Sequence, residues 1–330
     1  MTLKADWTLL YKGVDLSSEI RSMVTSVRYT DKLHGEADEI AVELEDHDGR
    51  WRGAWAPEEG DVMQLWYGWA GGPRVYAGRF EVDLPSCHIG RGGDTLSIGG
   101  QAAPVTKSLR TERTGEFEDR GPREIAGEIA GRNGLSVSGS FNETRWRRKT
   151  QRGTRDLEYL ALMAEDTDHY MSVRGDEVVF AKVDDIDRQA PVLVLSVGSR
   201  DFVTFDGELE SAGSYSSART THFHDEEKRL VEGEERDGRV KTGDTLRIVE
   251  RAEDEAQAKL MARSRLHHAN RHRKSGKLKL VGSPGVVAGT VVELLPDFGV
   301  WAGRYTVDQS DHELVRGPYP TTATLKQARE

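Results

Sequence analysis

Alternating apolar and polar positions dominate the first part of the chain and predict strands there. Residues 7–11 form a short apolar run stopped by Lys12 and Gly13, and Ile40, Val42 and Leu44 alternate with Ala41 and Glu43. Asp46, His47, Asp48 and Gly49 follow as a turn, because Asp and Gly tolerate turn conformations. Residues 62–67 and 75–82 are separated by Gly71, Gly72 and Pro73, which predicts a hairpin; a further strand at 95–98 ends at Gly99 and Gly100.

The period changes beyond residue 100. Pro122 is suited to a helix start, Ile125, Ala126, Ile129 and Ala130 repeat at helical spacing, and Gly134 is suited to end the helix. Leu157, Leu160, Ala161 and Ala164 share one face of a second helix, expected to begin at Thr154. Residues 170–174 and 177–180 flank Gly175 and Asp176 as a hairpin. Strands return at 192–195, 211–224, 276–281, 290–294, 305–309 and 321–325, with a hairpin turn at Asp237 and Gly238. Between them, a helix from Asp254 to His272 would bury Ala258, Met261, Ala262, Leu266 and Ala269. The pattern is mainly β with a small α+β unit, divided as 1–103, 104–190 and 191–330.

Self-comparison gives the most informative signal. Val75-Tyr76-Ala77-Gly78-Arg79-Phe80-Glu81-Val82-Asp83 matches Val300-Trp301-Ala302-Gly303-Arg304-Tyr305-Thr306-Val307-Asp308. At the same offset Arg91-Gly92 meets Arg316-Gly317, and upstream Gly60-Asp61-Val62-Met63-Gln64-Leu65 resembles Gly289-Thr290-Val291-Val292-Glu293-Leu294. Chance matches between short strands are the competing explanation, but three ordered matches favour duplication. One β-domain then occurs twice, carrying Gly78, Arg79, Phe80 and Val82 in one copy and Gly303, Arg304, Tyr305 and Val307 in the other. Two similar domains in one subunit suit near-equivalent positions around a ring.

Composition removes several classes. The 330 residues include 46 basic and 56 acidic side chains, a net charge of -10, which argues against a nucleic-acid or anionic-membrane binder. Cys87 is the single cysteine, so no internal disulfide or cysteine-based zinc site is expected. The first residues carry no apolar signal core, and no apolar run approaches a membrane span, so no membrane insertion is expected. Phosphate-loop, nucleophile-elbow and zinc-helix motifs are absent. Cys87 beside His88 lacks a visible base, and His222 with His224, or His268 with His272, offers two ligands where a structural metal site needs more. No cofactor is expected.

Charge is uneven along the chain. Acids cluster in residues 225–235. Basic residues cluster at Arg147, Arg148 and Lys149, and again at Arg263, Arg271, Arg273 and Lys274. These stretches read either as solvated faces or as surfaces complementary to neighbouring proteins.

Three stretches resemble the phage late control D family, the baseplate hub of contractile tails, related to the hub part of type VI valine–glycine repeat spike proteins. They are Asp46-His47-Asp48-Gly49-Arg50-Trp51 with Pro57-Glu58-Glu59-Gly60-Asp61; Gln151-Arg152-Gly153-Thr154-Arg155-Asp156-Leu157-Glu158-Tyr159-Leu160 with Ala164-Glu165; and Gly282-Ser283-Pro284-Gly285-Val286-Val287-Ala288-Gly289 with Gly303-Arg304-Tyr305-Thr306-Val307. The chain is short for that family, and no appended spike or lysozyme-like segment is expected.

The resemblance implies two related β-barrel tube domains flanking an inserted α+β domain. It implies a non-enzymatic homotrimer with pseudo-sixfold symmetry, joining a sixfold tail tube to a threefold central spike. Implied partners are the spike, the tube, other baseplate proteins and the tape-measure protein, with DNA only as transit cargo. The implied location is the tail baseplate of the virion, after assembly in host cytoplasm. A channel through such a ring should be acidic or neutral, with the basic stretches at 145–155 and 259–279 turned to neighbours. Two other readings are a tail-associated cell-wall hydrolase and a carbohydrate-binding β-module. Trp51, Trp55, Trp66 and Trp69 would serve the latter; their alternative role is barrel core and subunit contact.

Overall fold

The computed structural model describes residues 4–102, 111–210, 213–224, 228–241, 243–315 and 319–329. The first unit contains β1 (Ala5–Tyr11), β2 (Val14–Asp15), α1 (Ser17–Ile20), β3 (Val24–Lys32), β4 (Glu39–Glu45), β5 (Val62–Trp69), β6 (Arg74–His88) and β7 (Thr95–Gln101). These strands pair in the order β3-β4-β7-β6-β5-β1-β2. Alternation puts Val27, Tyr29, Ile40, Val42, Leu44, Phe80, Leu96 and Ile98 on one buried face, where they share a core with Trp7 and Leu9. The expected hairpin at Gly71-Gly72-Pro73 is formed by β5 and β6.

The middle unit follows as β8 (Glu112–Arg120), α2 (Pro122–Arg132), β9 (Ser136–Gly139), β10 (Trp146–Arg155), α3 (Asp156–Asp166), β11 (His169–Arg174), β12 (Glu177–Lys182) and α4 (Val183–Asp187). Helix α2 starts at Pro122 and buries Ile125, Ala126, Ile129 and Ala130, as its spacing predicts. Helix α3 starts two residues later than Thr154, because Thr154 and Arg155 still pair with Arg113 and Glu112 in β8. Asp156 opens that helix fully buried. Burial opposes its charge, but hydrogen bonds from Arg132, Gln151 and Asn133 hold its pKa below the usual range.

The last unit contains β13 (Leu193–Leu195), β14 (Phe202–Leu209), β15 (Ser217–His224), β16 (Arg229–Arg236), β17 (Thr245–Ile248), α5 (Glu255–Asn270), β18 (Lys274–Val281), β19 (Val291–Leu294), β20 (Gly303–Val315) and β21 (Pro320–Gln327). Strands β15, β16 and β17 form a separate small sheet. The Asp237-Gly238 turn exists, but it does not close a hairpin. Strand β15 lies between β16 and β17, pairing antiparallel with one and parallel with the other. Helix α5 packs Met261, Ala262 and Leu266 against this sheet, while Ala269 is only half buried. No helix among the described residues is long and apolar enough to cross a membrane.

The repeated sequence adopts the same ladders twice. Val62, Met63, Gln64 and Leu65 pair with Glu81, Phe80, Arg79 and Gly78. Val291, Val292, Glu293 and Leu294 pair with Thr306, Tyr305, Arg304 and Gly303 in the matching register. On the other edge, Val82 and Leu84 pair with Gly100 and Gly99 across a bulge, and Val307 and Gln309 pair with Leu325 and Thr324 across its counterpart. The equivalence extends beyond what the sequence showed. Strands β3 and β4 bulge between Val24 and Ser26, and β14 and β18 bulge between Phe202 and Thr204 at the corresponding position. The copies differ at one margin, where β1 pairs antiparallel with β5 but β13 pairs parallel with β19. Arg316 and Gly317, half of one sequence match, lie outside the described residues.

The two copies merge into one open 13-stranded sheet through β20 and β3, with Gln309 opposite Lys32 and Val315 opposite Ser26. No sheet closes on itself among the described residues. Behind this seam, His312 is enclosed by the rings of Tyr29, Tyr67 and Tyr319, and its Nδ1 lies 2.8 Å from the Tyr319 hydroxyl. Burial pushes the His312 imidazole down to about 4.

Two outcomes are expected. Gly78 and Gly303 have φ of 133° and 134°, which L side chains rarely adopt. Gly78→Ala and Gly303→Ala should each lower the unfolding free energy by about 1–3 kcal/mol in chemical denaturation. Equivalence of the copies requires the same sign at both. His312 binds its proton near pH 6.5 when unfolded and near 4 when folded, so it withdraws stability as pH falls through that window. His312→Gln should lower stability at neutral pH, yet make the stability–pH slope there shallower by up to about 1.4 kcal/mol per pH unit. An unchanged slope would refute the assignment.

Candidate assembly interface

The duplicated motif is structural in both copies. Phe80, Val82, Tyr305 and Val307 are fully buried. The two arginines instead reach into the middle unit. Arg79 donates to Asp176 in the β11–β12 turn at 3.0 Å. Arg304 donates to the carbonyl of Asp187 at 3.2 Å and to that of Gln189, just after α4. Each copy therefore uses the same arginine to hold a different part of the unit between them.

Buried charges complete that attachment. Asp31, at the seam, accepts from the Ala288 amide at 2.9 Å and from Arg174 at 3.3 Å, while Arg174 also donates to the Ala288 carbonyl at 3.1 Å. Burial raises the pKa of Asp31 despite Arg174, and raises that of Asp38 further, with Asp31 beside it. At the other end, Asp187 accepts from Thr306 at 2.7 Å and from the Arg329 amide at 2.7 Å. Arg329 also pairs with Asp168 at 2.6 Å and Asp184 at 3.0 Å. Of the residues singled out in the sequence, Arg263 and Arg304 touch this network, through Asp184 and the Asp187 carbonyl; its other members are scattered, and only the fold brings them together.

The basic stretches are largely engaged inside the chain. Arg271 is buried, pairs with Asp308 at 2.7 Å and lies over the Tyr170 ring. Lys274 donates to the Ala302 carbonyl at 2.6 Å, and Lys149 pairs with Asp166 at 2.6 Å. Arg263 pairs with Asp184 at 2.9 Å, and Arg273 is half buried. Arg147 and Arg148 are exposed; Arg148 pairs with Glu116 on the neighbouring strand β8. Of the set, Arg147 and Arg148 are exposed, and the others are buried or half enclosed.

Among the described residues, one cluster has metal-ligand composition: His34, Glu165 and His268. The Met171 amide donates to His34 Nδ1 at 3.1 Å, so the His34 proton sits on Nε2, 3.4 Å from Glu165. Arg265 also pairs with Glu165. His268 Nε2, by contrast, is buried without a hydrogen-bond partner, so only His34 and Glu165 of the three are engaged. Among the described residues His222 and His224 do not converge on a third ligand; His224 Nε2 lies 2.8 Å from the Ala252 carbonyl. Cys87 is exposed and free. Of the tryptophans, Trp51 is buried against Trp55, Trp66 packs on Tyr76 and Trp69 on Tyr319.

What remains available is the merged sheet's polar face and its strand edges. Glu39, Glu43, Asp206, Glu208, Asp311 and Glu313 alternate with core residues and share this face with Arg28, Lys277 and Lys279. Among the described residues, the second half of β6 pairs only with β7, and β14 pairs only with β18, so each leaves one strand edge without a partner strand.

No protein-family model matches the chain. It is 30% identical over 183 residues to a probable baseplate hub protein of Escherichia phage P2, and 29% identical over 183 residues to that of Escherichia phage 186. The matched stretch is 55% of this chain and 46% of each phage protein, so the chain spans less than half of those relatives' length. Among solved structures, a 43 kDa tail protein of prophage MuSo2 from Shewanella oneidensis superposes with a TM-score of 0.75 at 12% identity, covering 98% of both chains. A tail protein from Neisseria meningitidis MC58 gives 0.73 at 14% identity, covering 98% of this chain and 97% of its own. An Escherichia coli type VI secretion component, described as similar to bacteriophage T4 tail proteins, gives 0.62 at 11% identity over 98% of this chain and 77% of its own. Over about half of its length the chain is similar in sequence to phage baseplate hub proteins, and its fold is the one found in these tail proteins.

Proposed function

We propose that this chain is a structural baseplate hub of a contractile phage tail or a tail-derived injection particle. It acts as a homotrimer in which the two sheet units of each subunit make six near-equivalent positions. That ring would meet a sixfold tube on one side and a threefold spike on the other. The observation that carries the reading is the repeat: two sheet units share register and bulge positions and join through one strand pair. A subunit built this way reconciles sixfold with threefold symmetry without a second gene product. In this reading the units 1–103 and 191–330 close into barrels only within the assembly, with 104–190 packed between them.

The role is structural, without catalysis. What supports this is that the buried carboxylates Asp31, Asp168 and Asp187 are committed to arginines, amides and hydroxyls that hold the units together. The partners are the spike, the tube, other baseplate proteins and the tape-measure protein, and DNA only passes through. The location is the tail baseplate, after assembly in the host cytoplasm.

If the polar face lines the channel, its charge comes from Glu39, Glu43, Asp206, Glu208, Asp311 and Glu313 rather than from residues 225–235. Glu232, Glu234 and Glu235 belong to the separate small sheet, and residues 225–227 lie outside the described residues. Lys277 and Lys279 would then also face the channel, which corrects the expectation that the whole 259–279 stretch turns outward. Acids still outnumber bases on that wall, so a passing polyanion would meet net repulsion.

The decisive measurement is where the chain sits in the particle and in how many copies. Light scattering of the purified chain should give a trimer mass. Labelled particles should carry the chain at the junction of tube and spike. Purified peptidoglycan should not be cleared. Clearing, or a monomer absent from that junction, would overturn the reading.

A further inference from the structure

The seam inside the chain supplies a template for contacts outside it. Strand β20 uses its second half to pair with β3, and the ladder runs Asp311 to Thr30, His312 to Tyr29, Glu313 to Arg28 and Leu314 to Val27. The equivalent of β20 is β6, and the equivalent of β3 is β14, each fixed by register and bulge. Those two equivalents do not meet within one chain. Among the described residues, the second half of β6 has no strand beyond β7, and β14 has none beyond β18. Each copy therefore offers two complementary open edges at its opposite ends.

We infer that the open half of β6 pairs antiparallel with β14 of a second copy, with Ser86 opposite Glu208, Cys87 opposite Gly207, His88 opposite Asp206 and Ile89 opposite Phe205. This deepens the hub reading, since the ring needs a contact that repeats the internal one. The backbone directions fit. The Leu33 amide donates to Asp308 across the seam at 2.9 Å, so alternate residues of β20 from Asp308 onward face β3. By equivalence Pro85, Cys87 and Ile89 face the neighbour. On β14, the Glu210 amide donates to Arg273 at 2.9 Å, so Leu209, Gly207 and Phe205 face outward.

The side chains fit as well. Inside the chain, Thr30 donates to Asp311 at 2.7 Å and Arg28 pairs with Glu313 at 3.4 Å. Between copies, Ser86 would donate to Glu208 and His88 would face Asp206, so donor and acceptor exchange strands but remain matched. Val27 and Leu314 are buried at the seam, whereas Ile89 is 63% and Leu209 is 56% exposed at the open edges. Exposed apolar side chains on unpaired edges invite association. Pro85 has no amide proton, so its pair with Leu209 has one ladder bond, donated by Leu209. Because the two edges differ, the contact is head to tail, and such contacts produce rings or filaments rather than closed pairs.

The test is disulfide trapping in a Cys87→Ser background. Ser86→Cys combined with Glu208→Cys sits at a pair without ladder bonds, where antiparallel Cα atoms come close enough for a disulfide. Oxidation should give a ladder ending at a covalent trimer on non-reducing gels. Either single variant should give none, and Ser86→Cys with Asp206→Cys, out of register, should give at most a trace. A second variant acts without cross-linking. Leu209→Pro removes only an outward amide, so the fold should persist by circular dichroism while the trimer dissociates at several-fold higher protein concentration. A trimer that fails to cross-link and tolerates Leu209→Pro overturns the edge assignment and leaves the hub reading standing. A chain that is monomeric and uncross-linked overturns both.

Discussion

The pairing of β20 with β3 is the contact on which the architecture depends. It spans the ladder from Gln309–Lys32 to Val315–Ser26 and joins segments from opposite ends of the chain. Without it the two sheet units would be joined only by side-chain contacts such as Trp69 on Tyr319 and Asp31 with the Ala288 amide, and by the middle unit. With it, their cores meet behind a continuous sheet, and the polar face becomes a single wall. Such a long-range ladder costs loop-closure entropy, yet that cost grows only slowly with the length enclosed. The insertion of a whole α+β unit between the copies is therefore thermodynamically tolerable, provided that unit is itself anchored at both ends.

The anchors are charged, and their burial makes them specific. Asp31 and Asp187 lose solvation and are compensated by amides, hydroxyls and, for Asp31, Arg174. Their pKa values stay raised, which means that burial outweighs the compensation. Such groups add little net stability, but removing one partner leaves a buried polar group unpaired. They fix the position of the middle unit more than they strengthen it. The motif arginines act alike: Arg79 and Arg304 occupy equivalent positions but reach a turn and a helix end, respectively. The same repeat thus holds an asymmetric insert.

Much of this was legible in the sequence where the period stayed regular. The β5–β6 hairpin, α2, the β11–β12 hairpin and α5 follow their spacing. Strands β3 and β14 were missed for one shared reason. A bulge at Thr25 and another at Val203 break the alternation at the start of each strand, which leaves only a short regular run, Val27 with Tyr29 in one and Phe205 with Leu209 in the other. Those are the strands that carry the seam and the open edge. Strands β8 and β10 were missed because cross-strand charge, as in Arg148 with Glu116, replaces apolar alternation. For the basic stretches, sequence shows the charge of Arg271 and Lys149 but not the Asp308 and Asp166 that pair with them.

Duplication followed by divergence at the margins also accounts for the direction of assembly. Had β1 and β13 stayed equivalent, both units would present the same outer margin. They do not: β1 is antiparallel to β5 and extends into β2, while β13 is parallel to β19 and follows directly from the middle unit. The divergence is confined to the side of the sheet away from the seam. The side that carries the seam keeps its register and its bulges in both copies, even though the residues on it have drifted from Tyr29 to Gly207 and from His312 to Cys87. Backbone geometry that persists while side chains change points to a constraint on the strand edges themselves. The interior pair explains that constraint for β20 and β3. For β6 and β14 nothing within one chain does.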